Sequence, residues 1–354
     1  MLDGELTQTV LSNTLRDACG AGLWLKSWTA SPLSKRGKHR AVRYALDARQ
    51  TGVPRLQHFE WVGKFYEREE DAHRVAVVLR ELAASDCRAR GDAVIPRVIA
   101  SRASIRLLLL AYEPGESVIA ALARNPTAVL SALARALAAL HATPVAVNRF
   151  VSPSSILAKA RRRVATLCAR FPSQSDVLRQ MLDRLEREAP AGSAPSSFLH
   201  GDLGPVQLLW QAGRIVILDF DKCARGDPAL DLGNLLTQLR RLTLRKPGKL
   251  TPFALLRRDL LEAYQRHAPP DPELLQRVGW YEHAMLLGKI HFLASDSTRH
   301  HEAAKLRQRR AEAVRLLKRL PQLLDFNEAP DDLSLTVQAG PSLAASTSFQ
   351  TRFR

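Results

Sequence analysis

His200-Gly201-Asp202-Leu203-Gly204-Pro205-Val206-Gln207, with Asp219-Phe220-Asp221 beginning twelve residues beyond Gln207, are the side chains of this sequence best suited to chemistry. Moving a phosphoryl group to a hydroxyl needs a carboxylate beside the attacking oxygen and oxygen ligands that hold magnesium across the nucleotide phosphates. Positioning and charge neutralisation supply nearly all of that catalysis. Asp202 suits the first task, Gln207 with Asp219 the second, and Asp221 is available for a second metal ion.

Two apolar runs, Leu208-Leu209-Trp210 and Arg214-Ile215-Val216-Ile217-Leu218, flank Gln211-Ala212-Gly213, which is a hairpin signature. A hairpin returns its two ends to one edge. Asp202 and Gln207 precede its first strand and Asp219 follows its second, so the three oxygen-bearing side chains converge. Magnesium takes few protein oxygens when phosphates and water complete its shell, so one amide and one carboxylate are enough. His200-Gly201-Asp202 alone reads equally as a turn, and Asp219 alone as a strand-end cap. The ordered set of loop, hairpin, Asp219-Phe220-Asp221 and Asp227-Pro228-Ala229-Leu230-Asp231 carries the stronger reading.

These motifs resemble the aminoglycoside phosphotransferase and choline kinase-like family, relatives of the protein kinases. In that family the catalytic loop reads His-Gly-Asp, four variable residues and Asn, and the metal-binding Asp follows a short hairpin. This chain matches at His200, Gly201, Asp202 and Asp219 and carries Gln207 at the Asn position. Glutamine offers the same amide oxygen one methylene further out. The wording of the whole loop, with Leu218-Asp219-Phe220-Asp221, is similar to a bacterial branch of phosphotransferases in which glutamine is usual. The resemblance implies an α+β, protein kinase-like fold of two lobes: a small antiparallel-sheet N-lobe and a larger, mainly helical C-lobe. It also implies Asp202 and His200 as catalytic residues, Gln207, Asp219 and Asp221 as metal ligands, and ATP with Mg2+ as cofactors. Asp231 would then brace the catalytic loop.

The upstream third contains parts for a nucleotide clamp. Residues 21–30 and 39–47 read as strands, the second with Val42, Tyr44 and Leu46 alternating. The basic segment 31–38 between them is either a phosphate cover or a solvated hairpin tip. A third strand, 59–66, puts Lys64 where the resemblance places the lysine that contacts the α- and β-phosphates. The helix expected over 67–84 has an apolar stripe of Ala72, Val75, Ala76 and Leu79. It offers Glu70 or Glu81 as the partner of Lys64, and Glu81 has the more family-like separation. An apolar run at 105–110 leads into Leu110-Ala111-Tyr112-Glu113, the lobe-joining segment expected to contact adenine through its backbone.

With the lobe boundary near Leu110, the expected organisation is an N-lobe over 1–110, a helical C-lobe over 111–325 and a disordered tail over 326–354. Helices are expected at 126–141, 154–170, 175–188, 228–242, 253–267, 272–295 and 298–320. No run approaches the ~20 apolar residues of a membrane span, and residues 1–15 do not read as a secretory signal. Cys19, Cys87, Cys168 and Cys223 have neither metal nor disulfide spacing. A cytoplasmic protein with reduced thiols is the expectation.

Lys and Arg number 52 against 35 Asp and Glu, a net charge of +17. A positive field attracts anions, so cationic aminoglycosides are disfavoured. The expected partner is a small-molecule acceptor that is neutral or anionic, with an anionic sugar or glycolipid precursor as the class to test. Two other classes stay open. A nucleotide-binding pseudokinase is motivated by Gln207 and the single glycine of 31–38. A nucleic-acid or anionic-membrane binder is motivated by the arginines of 298–320, which read more simply as the solvated face of a helix packed on the C-lobe. Tyr281-Glu282-His283 and Lys289-Ile290-His291 line a cleft only if their helix faces it; core or surface positions are the alternative.

Overall fold

Alternating apolar side chains in the first third of the chain build a five-stranded antiparallel sheet from β1 (Leu23–Pro32), β2 (Arg40–Gln50), β3 (Val53–Phe65), β5 (Val98–Arg102) and β6 (Leu107–Ala111), in the spatial order β1-β2-β3-β6-β5. The computed structural model describes residues 3–33, 40–85, 92–190, 196–245, 247–295 and 303–323. Most of the 31–38 segment, the start of the helix expected at 298, Cys87 and the tail over 326–354 lie outside the described residues.

Side chains alternate across a strand, and here the two faces have different work. One carries Val42, Tyr44, Leu46, Trp61, Leu107 and Leu109 into a core closed by Leu11 and Leu15 of α1 (Gly4–Cys19). Asp3 caps that helix, its carboxylate accepting the Leu6 N–H at 2.7 Å. The other face carries the cross-strand rows Ala41-Lys64-Leu108 and Arg43-Val62-Leu110. Lys64 therefore points away from the apolar core, which is why a lysine sits in this strand.

The helix α2 (Glu69–Ala84) buries Ala72, Val75, Ala76, Leu79 and Leu82, the stripe its periodicity predicts. A second sheet, ordered β4-β11-β10-β7, contains β4 (Ala93–Val94), β7 (Glu116–Ser117), β10 (Leu208–Gln211) and β11 (Arg214–Ile217). The hairpin pairs Leu208 with Ile217 and Gln211 with Arg214. Ala212 (φ 46°) and Gly213 (φ 83°) form its two-residue turn, both left-handed as tight hairpins require. A third sheet joins β8 (Phe150–Val151), β9 (Ser197–Leu199) and β12 (Ala224–Gly226) behind the catalytic loop.

The rest is helical: α3 (Val118–Arg124), α4 (Pro126–Ala142), α5 (Pro153–Arg170), α6 (Ser175–Arg187), α7 (Ala229–Arg245), α8 (Phe253–His267), α9 (Leu274–Ala294) and α10 (Ala303–Lys318). Ala- and Leu-rich α4 is buried nearly all round, as a helix without a polar face must be. Its start is fixed by Asn125, whose side chain accepts the Ala128 N–H, and by Pro126 in the first turn. α10 buries Ala313, Leu316 and Leu317, and the chain just after it buries Leu320, against the helical core. Its basic residues therefore ride on a docked helix.

The expected architecture of an antiparallel sheet followed by a helical part is the observed one. Three details differ from the sequence reading. α1 was not expected, because its buried face includes Thr7 and Thr14 and so gives a weak apolar signal. β3 begins at Val53, just after the Gly52 turn, because 53–58 pairs with β2 while remaining largely exposed. The apolar run at 105–110 splits into a 3₁₀ turn (Ala103–Ile105) and β6, broken by left-handed Arg106. Among the described residues no helix is long and apolar enough to cross a membrane.

Candidate active site

The loop between β9 and β10 holds its shape through Asp231 on α7. That carboxylate is wholly buried and accepts the His200 N–H at 2.7 Å and the Gly201 N–H at 2.9 Å. His141 of α4 lies 3.4 Å away and is itself fixed by the Tyr264 hydroxyl at 2.8 Å. Burial alone would raise the Asp231 pKa, but the His141 hydrogen bond and charge and the Gly201 amide together lower it. Its stabilising contribution is thus present above the ordinary carboxylate range and is lost only as pH falls through the depressed value.

Removing this acceptor strands two loop amides and the His141 ring in the interior. Asp231→Ala is expected to cost about 3 kcal/mol or more, which lowers the melting temperature by roughly 6–12 °C for a domain of this size. Calorimetric or fluorescence melting checks it; a shift under about 2 °C would show that the loop is braced elsewhere.

Gly201 is obligatory. Its φ is 78°, and a Cβ would fall 2.1 Å from the Lys222 carbonyl oxygen. The next residue, Asp202, is partly exposed and accepts an ion pair from Lys222 Nζ to Oδ2 at 2.6 Å. His200 is fully buried; Nε2 donates to the Leu218 carbonyl at 2.8 Å and Nδ1 faces the Asp202 N–H at 3.4 Å. The ring, expected with Asp202 to be catalytic, is held inside the loop by these contacts.

The hairpin brings Gln207 and Asp219 to one edge. The Leu218 N–H donates to the Gln207 carbonyl at 2.8 Å, so Gln207 lies beside the residue that precedes Asp219. Gln207 Oε1 is buried and has no hydrogen-bond partner. An orphaned amide oxygen is costly, and a cation is one partner that would satisfy it. Asp219 has left-handed backbone (φ 70°, ψ 62°), sparsely populated for a non-glycine residue, and its side chain is 47% exposed. Among the described residues no group of three or more His, Cys, Asp or Glu side chains is arranged to hold a metal. An all-protein cage is thus not offered, whereas the amide and carboxylate pair fits magnesium shared with phosphates.

Lys64 meets this edge from the sheet. Its Nζ lies 2.5 Å from Asp219 Oδ1 and 2.6 Å from Asp221 Oδ1. Burial would raise Asp219, but the charge and hydrogen bond of Lys64 hold it below the usual carboxylate range. Asp221 also accepts from the Tyr66 hydroxyl at 2.9 Å, and burial followed by the Asp221 charge pushes that phenol far up. With those partners Asp221 anchors Lys64.

Glu81 does not pair with Lys64. Its Oε2 accepts the Ala146 N–H at 3.1 Å, because the C-terminal half of α2 faces the loop after α4. The turn of α2 that approaches the hairpin end instead supplies Arg74, whose Nη2 donates to the Asp221 carbonyl at 3.1 Å.

The segment Leu110-Ala111-Tyr112-Glu113 leaves the sheet beside the cleft face. The Ala111 N–H already donates to the Arg97 carbonyl at 2.8 Å and the Tyr112 N–H to the Glu60 carbonyl at 3.0 Å. Both amides are thus taken up within the fold. Arg43 lies 4.1 Å over the Tyr112 ring and is ion-paired with Glu60. Arg43, Arg74 and Lys222 were not singled out by the sequence. Lys222 follows Asp221 directly, yet only the 3₁₀ turn Phe220–Lys222 swings it toward Asp202.

Comparison with known proteins gives the same fold. The profile of the phosphotransferase enzyme family matches residues 43–268, more than half of the chain. Macrolide 2'-phosphotransferase MphH from Brachybacterium faecium superposes with a TM-score of 0.52 at 21% identity, covering 87% of this chain and 98% of that one. A thermostable mutant of aminoglycoside phosphotransferase APH(4)-Ia gives 0.56 at 18% identity, over 88% and 98% of the two chains. ADP-bound aminoglycoside phosphotransferase APH(2'')-Ib gives 0.56 at 14% identity, over 91% and 99%. No curated protein matches the chain in sequence.

Proposed function

The chain belongs to the phosphotransferase enzyme family, and from that premise we propose that it is an ATP- and magnesium-dependent kinase acting on a hydroxyl of a neutral or anionic small molecule. The observation that carries this reading is the buried, unpartnered Gln207 Oε1 set beside the strained, cleft-facing Asp219. A structural hairpin end has no use for either. An ADP-bound relative of the same fold adds support for an adenine nucleotide as donor.

In this reading each residue has a task. Gln207 and Asp219 would hold the metal, which when bound would neutralise charge on the transferring phosphate oxygens. Lys64 would turn from the two aspartates to the nucleotide phosphates, freeing Asp219 for its ligand role. Asp202 orients the acceptor hydroxyl through Oδ1 or Oδ2 and takes its proton as the new P–O bond forms and the bond to the leaving β-phosphate oxygen breaks. Lys222, already 2.6 Å from Asp202, adds positive charge where the γ-phosphate would arrive. The free thiols of Cys19, Cys168 and Cys223 fit a cytoplasmic setting, where ATP is at hand.

Gln207→Leu tests the reading directly. The apolar isostere removes the orphaned oxygen, so the melting temperature is expected to hold or rise. Magnesium-dependent ATP binding, measured by calorimetry, is expected to weaken about 10–100-fold through loss of one ligand to a charged group. Wild-type protein that binds ATP equally with and without magnesium, or consumes none in the presence of hydroxyl compounds, would overturn the kinase assignment.

A further inference from the structure

Most cations around the catalytic loop have a counter-charge on the protein. Lys222 has Asp202, Arg241 has Glu312 at 2.6 Å, and Arg277 has Asp227 at 2.9 Å and Asp271. Three do not. Among the described residues Lys289 on α9 makes no hydrogen bond or salt bridge, and its Nζ lies 5.1 Å from the centre of the Phe292 ring. Arg163 and Lys159, one turn apart on α5, likewise have no carboxylate partner.

The helix packing places Lys289 on the acceptor side of Asp202. α7 and α9 run side by side in the same direction. Asp227 meets Arg277 at their starts, Gly233 lies against Tyr281, where a Cβ would come within 2.7 Å, and Thr237 Oγ1 donates to the Glu282 carbonyl at 3.0 Å. Further along α7, Gln238 sits directly under the residues that follow Asp202. Its Nε2 is 3.4 Å from the Leu203 carbonyl and 2.2 Å from where a Gly204 Cβ would be. One turn beyond, Lys289 lies within electrostatic reach of Asp202, with Arg241 from α7 and Arg309 and Glu312 from α10 around it.

On the neighbouring face of α9, Gly288 lets the Arg163 guanidinium rest on the helix; a Cβ there would be 2.6 Å from Nη1. Lys159 feels Arg149, whose guanidinium grips the Lys222 carbonyl. Arg163 thus packs on α9 next to Lys289, and Lys159 lies near Arg149, which holds the backbone of Lys222. Burial pushes Lys159 and Arg163 below their ordinary values, and burial with Arg241 pushes Lys289 down to about 8. A half-buried charge without a counter-ion costs stability, and a ligand anion would offset that cost.

We propose that Lys289 binds an anionic oxyacid group of the acceptor, set apart from its reacting hydroxyl, with Arg163 and Lys159 extending the positive field around it. The inference rests on the kinase reading for the presence of an acceptor beside Asp202. It names a substrate class, hydroxyl compounds that already carry a phosphate or carboxylate.

The test uses the full chain as wild type, Lys289→Met and Lys289→Arg. Glucose, glucose 6-phosphate and glucuronate are titrated calorimetrically, with and without magnesium and the unreactive analogue AMP-PNP, which is also titrated alone. At least one anionic sugar is expected to bind wild type about 10–100-fold more tightly than glucose. The phosphate and carboxylate arms tell the two anions apart. Lys289→Met should lose the preference and Lys289→Arg keep it, with AMP-PNP affinity equal in all three.

The wild-type preference should also fade as pH rises through about 8, where Lys289 loses its proton. That of Lys289→Arg should persist, since guanidinium stays charged. Anionic sugars that bind no better than glucose, or a preference undiminished in Lys289→Met, would overturn the proposal. Failure of AMP-PNP to bind wild type would count against the kinase reading alone, because the nucleotide-free sugar titrations stand apart from it.

Discussion

Asp219→Asn is expected to leave the fold standing while magnesium-dependent turnover falls by about 10³-fold or more, the loss of several kcal/mol of charge stabilisation. Asparagine is the right probe because it tolerates left-handed backbone better than alanine does, and Asp219 sits at φ 70°. It also keeps an oxygen for Lys64. The ion pair it removes is half exposed on the aspartate side, and Lys64 retains Asp221 at 2.6 Å. Such a pair contributes about 0–1 kcal/mol, so the melting temperature should move by no more than roughly 4 °C. Calorimetric ATP titration with magnesium should show the nucleotide's magnesium dependence gone. Because Lys64 holds the carboxyl below its usual range, Asp219 stays ionised in mildly acidic buffer and its contribution is lost only as pH falls through that depressed value. Near-normal turnover in the variant would remove Asp219 from the metal site.

The catalytic loop and hairpin were legible because their chemistry is written in contiguous residues at fixed spacing. A two-residue turn sets the register, and the register alone brings Gln207 and Asp219 to one edge. Asp231 was legible as a brace only through the resemblance, since its partners are amides 30 and 31 residues away. The partner of Lys64 was not legible. Helical periodicity fixes which residues of α2 share a face, but not which way that face turns against β3; Glu81 turns toward Ala146. Lys222 was hidden for a related reason. Its reach to Asp202 depends on the left-handed residue and 3₁₀ turn after Leu218, and no local pattern predicts such backbone.

The charge excess divides in the same way. Sequence could count the arginines of α10 but not pair them. In the structure Arg241 takes Glu312, Arg309 lies 4.6 Å over the Phe292 ring, and the apolar side of the helix is buried. The helix thus has a packing role that accounts for its amphipathic pattern. Lys289 keeps no such partner yet lies within electrostatic reach of Asp202, and in the proposed kinase such a positive field raises the encounter rate with anions.

Asp202→Asn should separate chemistry from nucleotide binding. Among the described residues the Asp202 side chain is ion-paired with Lys222 and not with Lys64. Asparagine preserves its shape and an acceptor for Lys222 but cannot take the hydroxyl proton. Turnover is expected to fall about 10²–10⁴-fold, the usual range for a positioned acid or base, while the magnesium–ATP dissociation constant changes less than about 3-fold, because the lost interaction forms in the transition state. Lys222→Met provides the contrast. It leaves Asp202 without its counter-charge and also weakens the field at the γ-phosphate, so both turnover and nucleotide affinity should suffer. Matching losses of nucleotide affinity in the two variants would place Asp202 in the phosphate clamp and leave the acceptor hydroxyl to another base; a loss confined to turnover in Asp202→Asn assigns that proton to Asp202.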